Sequence, residues 1–191
     1  MARTAQAGAH DRILDAASAL FYAHGVGAVG TAQVIEAAGC GKNLLYTHFP
    51  SKGDLVTAYL HRFRAAREAS LAAALDAAGD DPADQLVALV REVADRVAGP
   101  SYRGCALRNF LAESPDVGGD AGAVAREYLA ASRDRIATLV ARLGVADPGT
   151  LADRIRLVVE GLYAGAPDPR RAELGDAAVA LVRDLVEAAA A

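Results

Sequence analysis

Apolar positions along this chain recur at intervals of three and four. In residues 10–24, "HDRILDAASALFYAH", Ile13, Leu14, Ala17, Leu20 and Phe21 share one side of a 3.6-residue period, and Gly25 follows as a stop. Residues 31–38, "TAQVIEAA", predict a short helix with Thr31 as its N-cap and Gly39 just past its end. A second short helix is predicted from Gly41 to Phe49, where Pro50 breaks it; Ser51 then caps a long helix over about 52–78. Further helices are predicted over about 83–98, 104–113, 121–143, 150–165 and 172–190. Gly or Pro marks every break, as in "GDDP", "GPSYRG" and the glycine-rich "SPDVGGDAG", and no segment alternates with period 2. The pattern predicts an all-α protein of about nine helices.

Composition supports that reading. Alanine, the strongest helix former, dominates, and β-branched runs are scarce. With 191 residues, 53% hydrophobic and 23% charged, the chain is globular, with room for one large domain or two small ones sharing a core. Cys40 and Cys105 have no metal-ligand spacing and are expected to be free thiols of a reduced, intracellular protein. The N-terminal "MARTAQAGAHDR" lacks the apolar run of a signal peptide, and no stretch reaches the roughly 18 apolar residues of a membrane span. A cytoplasmic protein with no membrane partner is expected.

The net charge of −4 argues at first against a nucleic-acid partner. Its distribution changes that. Residues 1–67 hold seven Lys/Arg against four acids, a balance of +3, whereas the rest hold 13 against 20, a balance of −7. All four histidines also lie in the first part. A mildly basic head precedes an acidic body.

Within that head, "GCGKNLLYTHFPSK", residues 39–52, gathers both lysines of the chain with Asn43, Tyr46, Thr47 and His48. Val34, Ile35 and Ala38 of the first short helix can face Leu45 and Phe49 of the second, with Gly39 supplying the positive φ of the turn. This is a helix-turn-helix whose second helix is short enough to enter a major groove. Its outer face would present Lys42, Asn43, Leu44, Thr47 and His48. Lys42 and Lys52 suit phosphates, and Asn43 suits base edges, adenine best. Leu44 and the Thr47 methyl suit a thymine methyl, while Tyr46 and His48 offer polar tips on flat rings to phosphate oxygens at the groove lip.

Residues 12–56, "RILDAASALFYAHGVGAVGTAQVIEAAGCGKNLLYTHFPSKGDLV", resemble the DNA-binding domain of the TetR (tetracycline-repressor) family of bacterial regulators. Ile13-Leu14, Ala16-Ala17, Leu20-Phe21, Gly25, Ala38-Gly39, Leu45-Tyr46, His48-Phe49, Lys52 and Leu55 carry the likeness. The resemblance implies a three-helix DNA-binding domain over 1–50, an effector-binding and dimerising helical body over 51–191, and a homodimer on double-stranded operator DNA. It places Thr31, Lys42, Asn43, Leu44, Tyr46, Thr47, His48 and Lys52 against DNA, with Tyr46, His48 and Lys52 on the phosphate backbone. Gly41 departs from the usual Ser-like cap of the second helix, Cys40 from the usual Val, Ile35 from the commoner Ala, and Leu44 from a smaller or hydroxylated residue.

In the body, "YRGCALRNFLAE", 102–113, resembles the "RGC…N…AE" stretch of one subgroup of that family. Phe63, Tyr102, Cys105, Leu107, Arg108, Phe110, Leu111, Tyr128 and Tyr163 are the candidate lining for a small-molecule effector of unknown identity; ordinary core packing is the alternative for most. Arg108 weakly suggests an anionic effector, with a snorkelling arginine the alternative. The last two helices, about 150–165 and 172–190, are the candidate dimer interface. One carries the small residues Gly161, Ala164 and Gly165, and the other a stripe of Leu174, Ala178, Leu181, Leu185 and Ala188/Ala189 beside Val182.

Enzymatic constellations are absent from the sequence: no Walker loop, HExxH, GxSxG or CxxC occurs, and Glu113 and Asp116 lack a base–nucleophile partner. No catalytic residue, metal site or cofactor is expected. His10, His24 and His61 receive no role, and Cys40 reads as a passive small apolar residue, with a redox switch the alternative. A helical scaffold protein would lack the basic head and the 42–52 cluster. A modifying enzyme on a helical body would need chemistry the sequence does not display.

Overall fold

The computed structural model describes residues 8–113 and 119–190, and every regular element among them is an α-helix. These are α1 (Ala9–His24), α2 (Thr31–Ala38), α3 (Lys42–His48), α4 (Lys52–Ala78), α5 (Pro82–Ala98), α6 (Ala106–Glu113), α7 (Asp120–Arg142), α8 (Pro148–Ala164) and α9 (Arg171–Ala190). The expected nine helices are there among the described residues, each boundary within two residues of its predicted place. Asp116, the core of the glycine-rich break and most of the N-terminal dodecapeptide lie outside the described residues. None of the described helices is long and apolar enough to cross a membrane.

Local chemistry sets the starts. Ser51 caps α4 as expected: its Oγ accepts from the Asp54 N–H at 3.1 Å, and the Asp54 carboxylate accepts the Ser51 N–H at 2.9 Å. Asp81 and Asp147 cap α5 and α8, each followed by a proline at the first helical position. Hydrogen bonds from Thr150 hold the Asp147 carboxyl below the usual carboxylate range, so acid removes this cap only as pH falls through that lowered value. Thr31 is a correction. Gly30 is the N-cap residue of α2, Thr31 is already helical, and the Gly30 N–H is satisfied by Gln33 Oε1 at 2.8 Å. Gln33 thus satisfies the N-cap amide, while no side chain accepts from the first-turn N–H groups as the threonine hydroxyl was expected to do.

The described residues form two compact units. The first comprises the chain up to Ala65 with Cys105–Tyr128; the second comprises Ala66–Gly104 with Leu129 onward. In the first unit α1, α2 and α3 pack on one another, burying Ile13, Leu14, Ala17, Phe21, Val34, Ala38, Leu45 and Phe49. The first turns of α4 bury Leu55, Val56, Tyr59 and Leu60, and α6 buries Ala106, Leu107 and Phe110. Tyr59 stands against the Phe21 ring at 5.6 Å between centroids, and burial pushes its hydroxyl well above the ordinary tyrosine range.

The second unit is built around α5, which packs against α9 and α8. Its core holds Leu86, Val90, Val97, Val140, Ile155 and Val182, each of order 1.5–3 kcal/mol relative to exposure. Gly175 of α9 lets the two helices close, because a Cβ there would lie 3.0 Å from the Ala94 Cβ of α5. Gly175→Val is therefore expected to destabilise the protein by about 1–3 kcal/mol through overpacking, read as a lower urea midpoint. Adding Ala94→Gly should recover part of that loss; equal midpoints for Gly175→Val and parent would show the contact is not tight.

The apolar stripe of α9 divides in two. Gly175, Ala178, Val179, Val182 and Val186 face the core, whereas Leu174 is 38% and Leu181 47% exposed and Leu185 is half-buried. Of the stripe read as a candidate dimer interface, Ala178 packs into its own subunit while Leu174 and Leu181 do not, and the adjoining valine edge supplies most of the core-facing side. On α8, Leu151, Ile155, Val159 and Leu162 are buried, while Leu157 is 65% exposed and Gly161 and Ala164 are open beside it.

Candidate nucleic-acid interface

Two eight- and seven-residue helices cannot hold themselves together by propensity alone, so the turn between them must fix their angle. Gly39 does so at φ 59°, the left-handed value the sequence predicted. Its N–H bonds the Glu36 carbonyl at 3.1 Å and the next N–H, of Cys40, reaches back to Ile35 at 3.1 Å, closing the end of α2 as a Schellman turn. Gly41 then serves as the N-cap of α3 without a side-chain bond, its carbonyl accepting from Leu44 and Leu45 at 3.0 and 3.2 Å. The first N–H groups of α3 accordingly have no capping side chain.

Four-residue spacing sorts α3 into two faces. Leu45 and Phe49 point inward and are buried with Val34 and Ala38; Ile35 is half-buried. Lys42, Asn43, Tyr46 and Thr47 are exposed, and Leu44 is half-buried at the margin. Tyr46, 36% exposed, brings three of the predicted residues together. Its hydroxyl lies 3.4 Å from the Thr31 Oγ1, and the Lys42 Nζ sits 6.0 Å from its ring centroid. The Thr47 hydroxyl donates to the Asn43 carbonyl at 2.8 Å. Lys52, half-buried, opens α4 just beyond.

His48 is placed less openly. It is half-buried, its ring edge meets His10 at 6.0 Å, and its Nε2 is enclosed. Contact with a phosphate would have to come from its other ring edge.

Several supporting residues escaped the sequence reading. His10, given no role, stacks on Phe49 at 4.8 Å and so braces the end of α3. The Arg12 Nε donates to the Ala38 carbonyl at 3.2 Å, fastening the C-terminus of α2 to α1 where a cation also meets the negative end of the helix. Arg62 of α4 pairs with Asp15 of α1. Each joins positions remote in sequence, so no local pattern betrayed it. Cys40 is half-exposed and a free thiol, as is the buried Cys105.

The nine candidate effector residues distribute over both units. Phe63, Cys105, Leu107, Arg108, Phe110, Leu111 and Tyr128 belong to the first, Tyr102 and Tyr163 to the second. Cys105, Leu107 and Phe110 are buried and the others half-buried. Phe110 also lines a cleft of about 500 Å³ with Val26, Lys52, Val56 and Thr57. In the second unit the Tyr163 hydroxyl lies 3.3 Å from the Arg96 Nη2, and Arg96 is also bonded to Glu92 at 3.1 Å. That largely buried arginine was not singled out beforehand.

Known proteins match this arrangement. Residues 13–59 fit the family model of bacterial regulatory proteins of the tetR family. An uncharacterized HTH-type transcriptional regulator of Mycobacterium tuberculosis strain H37Rv is 34% identical over 181 residues, spanning 90% of this chain and 81% of its own. The crystal structure of a TetR-family transcriptional regulator from Streptomyces coelicolor superposes with TM-score 0.88 at 25% identity, covering 97% of both chains. A TetR regulator from Chloroflexus aurantiacus, 23% identical, shares the fold at TM-score 0.80 over 96% of both chains. This chain is a transcriptional regulator with a helix-turn-helix DNA-binding domain, and it belongs to the tetR family of bacterial regulatory proteins.

Proposed function

We propose that the protein is a repressor that binds a near-palindromic operator as a homodimer and is released by a small, largely apolar effector. Residues 1–50 read DNA, and 51–191 bind the effector and pair the subunits. The observation that carries the reading is the division of α3: Leu45 and Phe49 are locked inward, which leaves Lys42, Asn43, Tyr46 and Thr47 outward on one strip. In that role Lys42, Lys52, Tyr46, Thr31 and His48 address phosphates and set the register, while Asn43, Leu44 and the Thr47 methyl address base edges. The Thr47 hydroxyl is occupied by the Asn43 carbonyl, which favours the methyl as its reading surface.

Pairing through α8 and α9 is supported by Leu157, Leu174 and Leu181, large apolar side chains left exposed beside the small Gly161 and Ala164. A two-fold dimer reads a two-fold operator, with its recognition helices about 34–36 Å apart, or a multiple of that. The candidate effector residues are the nine named above. An effector acts by binding the splayed form better than the DNA-competent form, and a coupling of ~1–3 kcal/mol would shift operator affinity roughly 5–150-fold.

Selection from random duplexes with the purified protein tests the reading: it should enrich an inverted repeat. On that site Lys42→Ala should weaken specific and random DNA alike and reduce the salt slope by about one unit. Asn43→Ala should instead relax the preference at one position of each half-site, by about 1–3 kcal/mol. Equal losses on specific and random DNA for both variants would show that base reading lies elsewhere.

A further inference from the structure

One acidic side chain from α6 reaches the turn that leads from α1 into α2, within the first unit. Glu113 is the last residue of α6, where the negative end of the helix disfavours a carboxylate. Its Oε2 accepts the Val26 N–H at 2.9 Å and the Gly27 N–H at 3.3 Å. The contact spans more than 80 residues of sequence. Gly25, at φ 84°, makes room for it: a Cβ there would fall 2.7 Å from Oε1 and 3.0 Å from the carboxyl carbon. The two amides and the missing side chain together form a seat for this carboxylate.

The segment so held, Gly25 to Gly30, ends at the N-cap of α2, and Thr31 on the next position meets Tyr46 of α3. We propose that Glu113 is a positioning residue for DNA binding: by pinning Val26 and Gly27 it sets the start of α2, and through α2 the presentation of α3. It touches no DNA itself. Because α6 belongs to the region assigned to effector binding, the same carboxylate is a point through which a movement of α6 would reach the reading head. The inference rests on the DNA-binding role of α3; a parent protein that selects no site would refute that role, whereas the variants below test Glu113 alone.

The experiment uses the full-length protein and the duplex it selects. Glu113→Ala should weaken operator binding about tenfold at constant salt slope, since no phosphate contact is lost, and should speed amide exchange at Val26 and Gly27. Glu113→Gln keeps an acceptor and should restore most of the affinity and protection. Gly25→Ala should cost operator affinity in the parent and markedly less in the Glu113→Ala background, because the strain of φ 84° is common to both and the collision is not. Parent-like affinity and exchange in Glu113→Ala, or the same cost for Gly25→Ala in both backgrounds, would overturn the assignment. A Glu113→Ala protein that melts globally below the assay temperature, with no rescue by Glu113→Gln, would overturn it too.

Discussion

Exchanging Leu174 and Leu181 together for glutamate is expected to split the protein into monomers and to weaken operator binding by about 100- to 10,000-fold. Neither leucine belongs to the core of its own subunit, at 38% and 47% exposure, whereas Val179, Val182 and Val186 on the neighbouring edge are buried. The subunit should therefore stay folded, with an unchanged far-ultraviolet helix signal. What the proposed dimer would lose is the link that makes the second half-site contact intramolecular. Four carboxylates at the two-fold contact would also have to be desolvated next to one another. Sedimentation equilibrium and fluorescence anisotropy on one sample check both consequences; a dimeric variant with parental affinity would remove α9 from the proposed interface.

Leu45→Ala is expected to cost about 2–5 kcal/mol and to abolish operator recognition, for a different reason. Leu45 has no exposed surface and lies on the inward face of a seven-residue helix that buries little else. Without it α3 has Phe49, braced by His10, and the Gly39 turn to hold its angle. Such a loss is a large part of the 5–15 kcal/mol that usually separates folded from unfolded protein. The second unit does not contain this residue, so dimerisation should survive. Retained dimers with lost DNA binding is the expected result, and unchanged operator affinity would contradict the packing described for α3.

Helix positions are legible in this sequence because Gly or Pro stands at each break and the apolar spacing of three and four is regular in between. The caps are less so. Thr31 has the right residue type beside the right helix, yet the extended backbone of Gly30 places the cap one residue earlier, where no side chain can accept from the first turn and Gln33 bonds the Gly30 N–H instead. On α9 a periodicity cannot say which apolar edge its own subunit takes, since leucine and valine look alike to it. The burial of Val179, Val182 and Val186 and the close approach of Gly175 to Ala94 show that the valine edge meets the core. Within the site, Lys42, Asn43, Tyr46 and Thr47 are legible from four-residue spacing against Leu45 and Phe49. His10, Arg12 and Glu113 are not, since each acts on a backbone or ring far away in sequence.

Those remote contacts share a purpose. Arg12 holds the end of α2, His10 the end of α3, and Glu113 the entry to α2, so the reading head is fixed at three separate points by side chains. A head held rigidly loses less conformational freedom on meeting DNA, and under the proposed function a single released point would give an effector a route to weaken it.

Hydroxyl-radical footprinting of the selected duplex bears most directly on the central claim, that α3 presents its polar strip to a major groove twice per dimer. Two symmetric protected patches on one face of the duplex, one helical turn or a multiple apart, with the Asn43→Ala variant shifting base preference inside both, is the predicted result. A single asymmetric patch, or protection that is indifferent to Asn43, would contradict it.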